Sequence, residues 1–262
     1  MDGLGMLKFA FGKNWQAYSQ QLQQDDYFSA KKSLYELAGD MHNKTFLDIG
    51  CGSGLFSISA SGLGAKEVLG IDVDPQCVAT ARDLIDKVSL WDSAVKKDAV
   101  VFKEGSIVDD NLPSAQYDVV YSWGVLHHTG DMYNAFANAA ALVKENGILI
   151  IAIYNRHFTS PIWKAIKYTY VKSPAFIQKI MAISLAGVKL VAATLSGQNP
   201  FKKLRGMHFY PDIVDWVGGY PYEYASISEV CNFFEAKGFR TKKVIKTAGF
   251  TGCNEFVFEK QL

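Results

Sequence analysis

The stretch Leu47-Asp48-Ile49-Gly50-Cys51-Gly52-Ser53-Gly54 joins a β-branched, apolar run, Thr45–Ile49, to a helix-like pattern, Leu55–Leu63. Glycines at alternate positions let the backbone turn sharply and pass close to a ligand. The N-terminus of the helix that follows favours a carboxylate or a phosphate. The spacing departs from the dinucleotide fingerprint, whose third glycine falls three positions after the second, on Leu55 here. A second acid, Asp72, closes Gly70-Ile71-Asp72 about 20 residues beyond the loop, where a carboxylate can accept hydrogen bonds from ribose hydroxyls.

Outward from this turn the pattern alternates. Val68–Asp72, Val100–Lys103, Tyr117–Tyr121 and Ile148–Ile153 are strand-like; Pro75–Val88 and Met132–Val143 are helix-like. Continuous apolar strands alternating with helices predict a parallel sheet covered on both faces. Asn146-Gly147 signals a turn just before the fifth strand. The rhythm breaks over 155–225, where helical patterns, turn residues and aromatics replace strands. Ser226-Ile227-Ser228-Glu229 then reads as a capping box opening a helix to Lys237, stopped by Gly238. Two closing strands follow near Thr241–Lys246 and Glu255–Glu259. The expected fold is α/β, a doubly wound, seven-stranded, mostly parallel, Rossmann-like sheet with a helical insertion after strand 5. The domains expected are an N-terminal helical cap (1–44), a core (45–154 and 226–262) and an insertion (155–225) that covers an acceptor.

On the glycine turn and Asp72 the sequence resembles the class I S-adenosylmethionine-dependent methyltransferases, whose first motif reads DxGxGxG. Within that family it resembles the small-molecule group, the ubiquinone-biosynthesis type of O-methyltransferase. The resemblance covers 45–154 and 226–262. It implies S-adenosyl-L-methionine as cofactor, S-adenosyl-L-homocysteine as product, and a cofactor site at Asp48, Gly50, Cys51, Gly52 and Gly54. Asp72 would take the ribose and Val73 one adenine face. Ser106 and Ile107 lie where the family often has an acid near the adenine amine; the serine is equally a turn residue. Ser122, Trp123 and Gly124 end the fourth strand, and ligands in open α/β sheets sit beyond the carboxyl ends of strands.

The loop continues into His127-His128. Methyl transfer from a sulfonium relies on alignment of nucleophile and methyl, and a hydroxyl acceptor gains from a general base such as histidine. Similar enzymes carry a Glu-His or His-His pair here, so one of the two is the expected base and the other structural.

Between Arg156 and Arg205 there is no Asp or Glu, against Arg156, Lys164, Lys167, Lys172, Lys179, Lys189, Lys202, Lys203 and Arg205. Three readings stay open: a solvated lid face, a site for an anionic, sugar- or nucleotide-linked acceptor, or peripheral contact with anionic lipid. Tyr154, Arg205, His208, Tyr210, Asp212, Asp215 and Tyr222 are acceptor-pocket candidates. Trp15 and Tyr18 are candidates for an aromatic segment closing over the cofactor, as in similar enzymes, or for core packing.

A nucleic-acid methyltransferase using the basic insertion competes with the small-molecule reading. The Asn/Asp-Pro-Pro-aromatic signature and a Pro-Cys pair are both missing, so nucleic acid is not the expected partner. A cofactor-binding module without activity is the third alternative. The 262 residues carry a formal net charge of +1, which draws in no partner globally. Cys51, Cys77, Cys231 and Cys253 lack metal or redox spacing, so no metal site is expected and reduced thiols in a cytoplasmic protein are. MDGLGMLKFAFGKNW is not patterned as a signal peptide. Phe176–Leu195 is apolar but holds Lys179 and Lys189, which argues against a membrane span.

Overall fold

A computed structural model describes residues 12–109, 117–197, 209–247 and 252–261. Its elements run α1 (Gly12–Gln21), α2 (Gln24–Ala38), β1 (Thr45–Ile49), α3 (Leu55–Gly62), β2 (Glu67–Asp72), α4 (Pro75–Ser89), β3 (Val100–Glu104) and β4 (Tyr117–Trp123). They continue α5 (Met132–Leu142), β5 (Val143–Tyr154), α6 (Ser160–Lys172), α7 (Ala175–Leu195), α8 (Phe209–Gly218), α9 (Ile227–Glu235), β6 (Phe239–Ile245) and β7 (Cys253–Lys260).

The sheet has seven strands in the order β3-β2-β1-β4-β5-β7-β6. The first five run parallel, and β7 is antiparallel to both β5 and β6. All five residues of β1 are buried, as expected for a central strand covered on both faces. Phe136 of α5 and Phe234 of α9 pack with Phe258 on one face; Leu34 of α2 and Ala60 of α3 pack with Phe46 and Tyr121 on the other. Between β1 and β4 the order of strands reverses. That is where a crevice opens beyond the strand ends.

Two details refine the sequence reading. The strand β5 begins before Asn146-Gly147 and continues past it: Tyr117 pairs with Val143, but Val119 pairs with Ile148. The intervening residues swing out as a turn, with Asn146 at φ +60°. The closing helix carries the expected capping box. Ser226 Oγ accepts from Glu229 N at 3.2 Å and Glu229 Oε2 accepts from Ser226 N at 2.7 Å. It ends at Glu235, two residues early.

The insertion leaves and rejoins the sheet at one point. Ala225 N donates to Tyr154 O at 3.1 Å and Arg156 N donates to Ala225 O at 3.0 Å. Arg156 also forks onto Glu229, at 2.9 and 2.7 Å. Inside the insertion the apolar stretch read as interrupted by lysines forms one 21-residue helix, α7, which runs through both of them. By length and composition this helix is apolar enough to cross a membrane, and only 6% of its most apolar window is buried. The lysines do not break it because a helix tolerates flexible cationic stems.

Phe234 touches Phe136, Phe233, Phe239 and Phe258 from a fully buried position. Phe234→Ala should lower the unfolding free energy by about 3–5 kcal/mol, measured in urea. A loss under about 1 kcal/mol would mean that the aromatic cluster is not the anchor of this face.

Candidate active site

The glycine turn is built by sterics. Gly50, Gly52 and Gly54 hold φ of +71°, +54° and +78°, where side chains other than glycine's are strained. A Cβ on Gly50 would stand 2.4 Å from a Val125 methyl, and one on Gly54 2.7 Å from Ala81. The amides of Gly50 and Cys51 both donate to Ile71 O, at 2.8 and 2.9 Å, so the turn is sewn to the end of β2.

Asp72 holds the centre. Its Oδ2 accepts from Gly52 N and its Oδ1 from Asp74 N, each at 2.9 Å. A carboxylate has about four acceptor positions, so capacity remains for hydroxyls of a bound ligand. Burial raises its pKa. Asp48 lies beneath the turn; it accepts from Ser57 Oγ at 2.6 Å and is pushed up to about 7 by burial. It braces α3 through that bond. Val73 is exposed beside Asp72, as an adenine platform would be. At Gly124 a Cβ would meet nothing within 4 Å, so the end of β4 opens onto free space.

Helix α1 closes the cleft from the N-terminal side. Gly12 N donates to Asp74 Oδ2 at 2.9 Å, and Asn14 Nδ2 donates to Asp215 Oδ1 at 3.2 Å. The indole of Trp15 lies over Gly52, 2.9 Å from where its Cβ would be. Tyr18 packs edge-on to Trp15 in a cluster with Cys51 and Leu55. Its hydroxyl is buried with no hydrogen-bond partner among the described residues. Burying a hydroxyl unpaired costs about 1–3 kcal/mol, so a polar ligand atom there would relieve it. Free space at Gly124, spare acceptor capacity on Asp72 and this orphaned hydroxyl together fit a polar cofactor with an adenosyl end.

The histidine pair follows Gly124. The His127 ring lies 4.4 Å from that of His128 and 4.0 Å from that of Tyr154. His127 is fully buried, its Nδ1 receives Tyr154 N at 3.4 Å, and its Nε2 has no partner among the described residues. His128 is half-buried, and Pro221 O sits 2.6 Å from its Nδ1. A carbonyl only accepts, so Nδ1 carries the proton and Nε2 the lone pair. Burial, and then the charge of Lys167, push His128 down to about 3; burial sets His127 well below its ordinary range.

Lys167, in the sequence only one cation of an acid-free stretch, belongs to the site. It is 0% exposed. Its Nζ donates to the carbonyl of Trp216 and stands 4.4 Å from the Trp216 ring centre, 5.0 Å from Tyr222 and 5.2 Å from Tyr154. Burial pushes it down to about 7, and Asp215 nearby is pushed up to about 6 by burial. One signal was legible. Trp163, Lys167 and Tyr170 follow helical spacing on the inward face of α6, so this lysine interrupts an aromatic stripe.

Other candidates fall elsewhere. Ser122 Oγ donates to Ile49 O at 3.1 Å and ties β4 to β1. Trp123 packs with Phe56 against the α2 side of the sheet. Ser106 works as a turn residue: its amide donates to Asp109 at 3.1 Å and its Oγ accepts from Val108 N at 3.3 Å, with Ile107 buried behind it. Tyr210 is exposed, and Asp212 pairs with Lys189 of α7 at 3.6 Å. Arg205 and His208 lie outside the described residues. The structure thus gathers His127, His128, Tyr154, Asp215 and Tyr222, with Lys167 and Trp216 added.

Folded Lys167 releases its proton near 7, against 10.5 for an ordinary lysine. Between these values the unfolded chain binds more protons, so the penalty is full below pH 7 and fades as pH rises. Lys167→Met should therefore be stabilised relative to the native chain most strongly below about pH 7, with the gap narrowing toward pH 10. Urea midpoints across that range measure it, and a constant gap would mean that Lys167 keeps an ordinary pKa.

Comparison with known proteins agrees with this geometry. Residues 22–251 match the family model described as a methyltransferase domain. A ubiquinone biosynthesis O-methyltransferase of Rhodopseudomonas palustris is 33% identical over 129 residues, covering 49% of this chain and 46% of that protein. A ribosomal protein methyltransferase of Tolumonas auensis is 32% identical over 113 residues, covering 43% and 35%. These matches span less than half the length of either relative. Among solved structures, a magnesium protoporphyrin IX methyltransferase from Synechocystis PCC 6803 with bound S-adenosylhomocysteine superposes with a TM-score of 0.55. It shares 17% identity, over 91% of this chain and 83% of that one, a likeness of fold. The family match runs over most of the chain and contains the whole glycine turn; the chain belongs to the methyltransferase-domain family, with a Rossmann-like fold and S-adenosylmethionine as cofactor.

Proposed function

We propose that the protein transfers a methyl group from S-adenosylmethionine to an oxygen of an anionic small molecule held between the histidine pair and the Lys167 box. One observation carries this reading: a fully buried lysine, ringed by Tyr154, Trp216 and Tyr222, stands beside two neutral histidines. A buried cation is stabilised by an opposite charge brought to it. Asp215 supplies part of that charge, an anionic acceptor adds to it, and a sugar- or nucleotide-linked or lipid-like acid is of the right kind.

S-adenosylmethionine supplies an electrophilic methyl on a sulfonium. The chain's own part is alignment and proton handling. Gly50, Gly52 and Gly54 keep the backbone close to the cofactor's methionine end, Asp72 takes the ribose hydroxyls, and Tyr18 offers its hydroxyl to a polar group. Trp15 shuts the cleft. His128 is the proposed base: Pro221 fixes its tautomer with Nε2 accepting. Burial, and after it the charge of Lys167, hold the pKa of His128 down, so an anion on Lys167 offsets the second of these. His127 orients the pair from behind. Cys51 and Cys77, both buried as thiols, suit a reducing, cytoplasmic setting.

Asp72→Asn should weaken S-adenosylhomocysteine binding by about tenfold or more in calorimetry, since hydrogen bonds to a charged group contribute about 1.5–3 kcal/mol; unchanged affinity would remove Asp72 from the cofactor site. Labelled methyl transfer, screened over phosphorylated, glycosyl-linked and quinol-like acceptors, tests the activity. On the acceptor found, His128→Gln should cost about a hundredfold or more in turnover while leaving cofactor affinity intact. Native turnover in that variant would eliminate the base, and the assignment to an oxygen would lose its support.

A further inference from the structure

Helix α7 presents its apolar side outward. Gln178, Ala182, Leu185 and Lys189 follow helical spacing on the side turned to the protein, where Ala182 packs with Tyr170 and Val217. Phe176, Ile180, Ile183 and Val191 recur on the opposite side at the same period and are 65%, 57%, 53% and 58% exposed. A surface helix of a soluble domain normally does the reverse. Contiguous exposed apolar surface of this kind marks a docking site.

Charge narrows the occupant. The sequence between Arg156 and Arg205 contains no acid. Lys164, Lys172 and Lys179 are exposed on and beside the same helices. A second copy of this chain, docked face to face by a two-fold axis, would bring like charges together, because such an interface pairs a patch with itself. An anionic bilayer surface instead accepts both features: apolar side chains enter the acyl boundary and lysines reach the headgroups. The helix is held along one side by its neighbours, which suits a helix lying in the plane of the interface.

We propose that the outer face of α7, flanked by Lys172 and Lys179, docks the protein in-plane on anionic membrane lipid. The cofactor turn lies on other elements, so the docking does not depend on which acceptor is methylated. If that acceptor is lipid-like, the surface also brings the Lys167 box to its source.

Co-sedimentation of the full chain with vesicles tests this. The protein should pellet with equimolar phosphatidylcholine and phosphatidylglycerol, and much less with phosphatidylcholine alone. Ile180→Asp with Ile183→Asp should weaken that binding by about tenfold or more, because both apolar insertions are lost and two like charges meet the headgroups. Lys172→Glu with Lys179→Glu should weaken binding to the anionic vesicles selectively, as should added salt. Both double variants replace exposed residues, and unchanged S-adenosylhomocysteine affinity verifies that they are folded. The proposal is overturned if the native chain stays in the supernatant with anionic vesicles, or if the Ile180→Asp/Ile183→Asp variant binds them equally. It is also overturned if the native chain forms a dimer that these substitutions dissociate while lipid binding stays absent; the face is then an interface between copies.

Discussion

The carboxylate of Asp72 is the point on which the cleft depends. One oxygen holds the amide of Gly52 and the other the amide of Asp74. Asp74 in turn caps α4 through Gln76 N at 2.9 Å and receives the amide of Gly12 at the start of α1. Three elements meet through two acids: the glycine turn, the helix after β2 and the helix that covers the cleft. Positive φ at Gly50, Gly52 and Gly54 makes the turn tight enough for this, and the carboxylate prevents it from relaxing.

A second constraint organises the acceptor side. The insertion begins and ends at the C-terminal end of β5, pinned by the Tyr154–Ala225 and Arg156–Ala225 bonds. It is free to form a small body of its own, yet it must deliver Lys167 and Trp216 over the ends of β4 and β5. Glu223 contributes from the returning strand of chain: its carboxylate accepts from Gly130 N at 2.9 Å and Met132 N at 3.2 Å, satisfying amides at the start of α5. The loop with the two histidines therefore lies between a fixed strand end and a fixed return segment. Its neutral histidines and depressed lysine share one cause, removal from water, which disfavours every added positive charge in the box.

The two faces of the insertion do different work. Its inner face is polar at single points in an aromatic wall. Its outer face, along α7, is apolar with cations at the margin. A core needs apolar side chains inward, and α7 satisfies that need with small or flexible residues such as Ala182 and Leu185, leaving bulky Phe176, Ile180 and Ile183 outside.

Local patterns determined much of this protein. Alternating apolar strands and helices, the glycine spacing, Asp72 and the Ser226–Glu229 cap were all readable, because each depends on neighbours within a few residues or on a period that a strand or helix imposes. Tertiary structure alone decided the rest. Lys167 and Lys179 belong to one acid-free stretch, but packing buries the first among Tyr154, Trp216 and Tyr222 and leaves the second in solvent. The fourth strand's Ser122 and the turn's Asp48 were both legible as site residues, while their bracing hydrogen bonds, to Ile49 O and from Ser57 Oγ, were not. Burial and hydrogen-bond choice are set by partners far apart in the chain, and a one-dimensional pattern does not carry that distance.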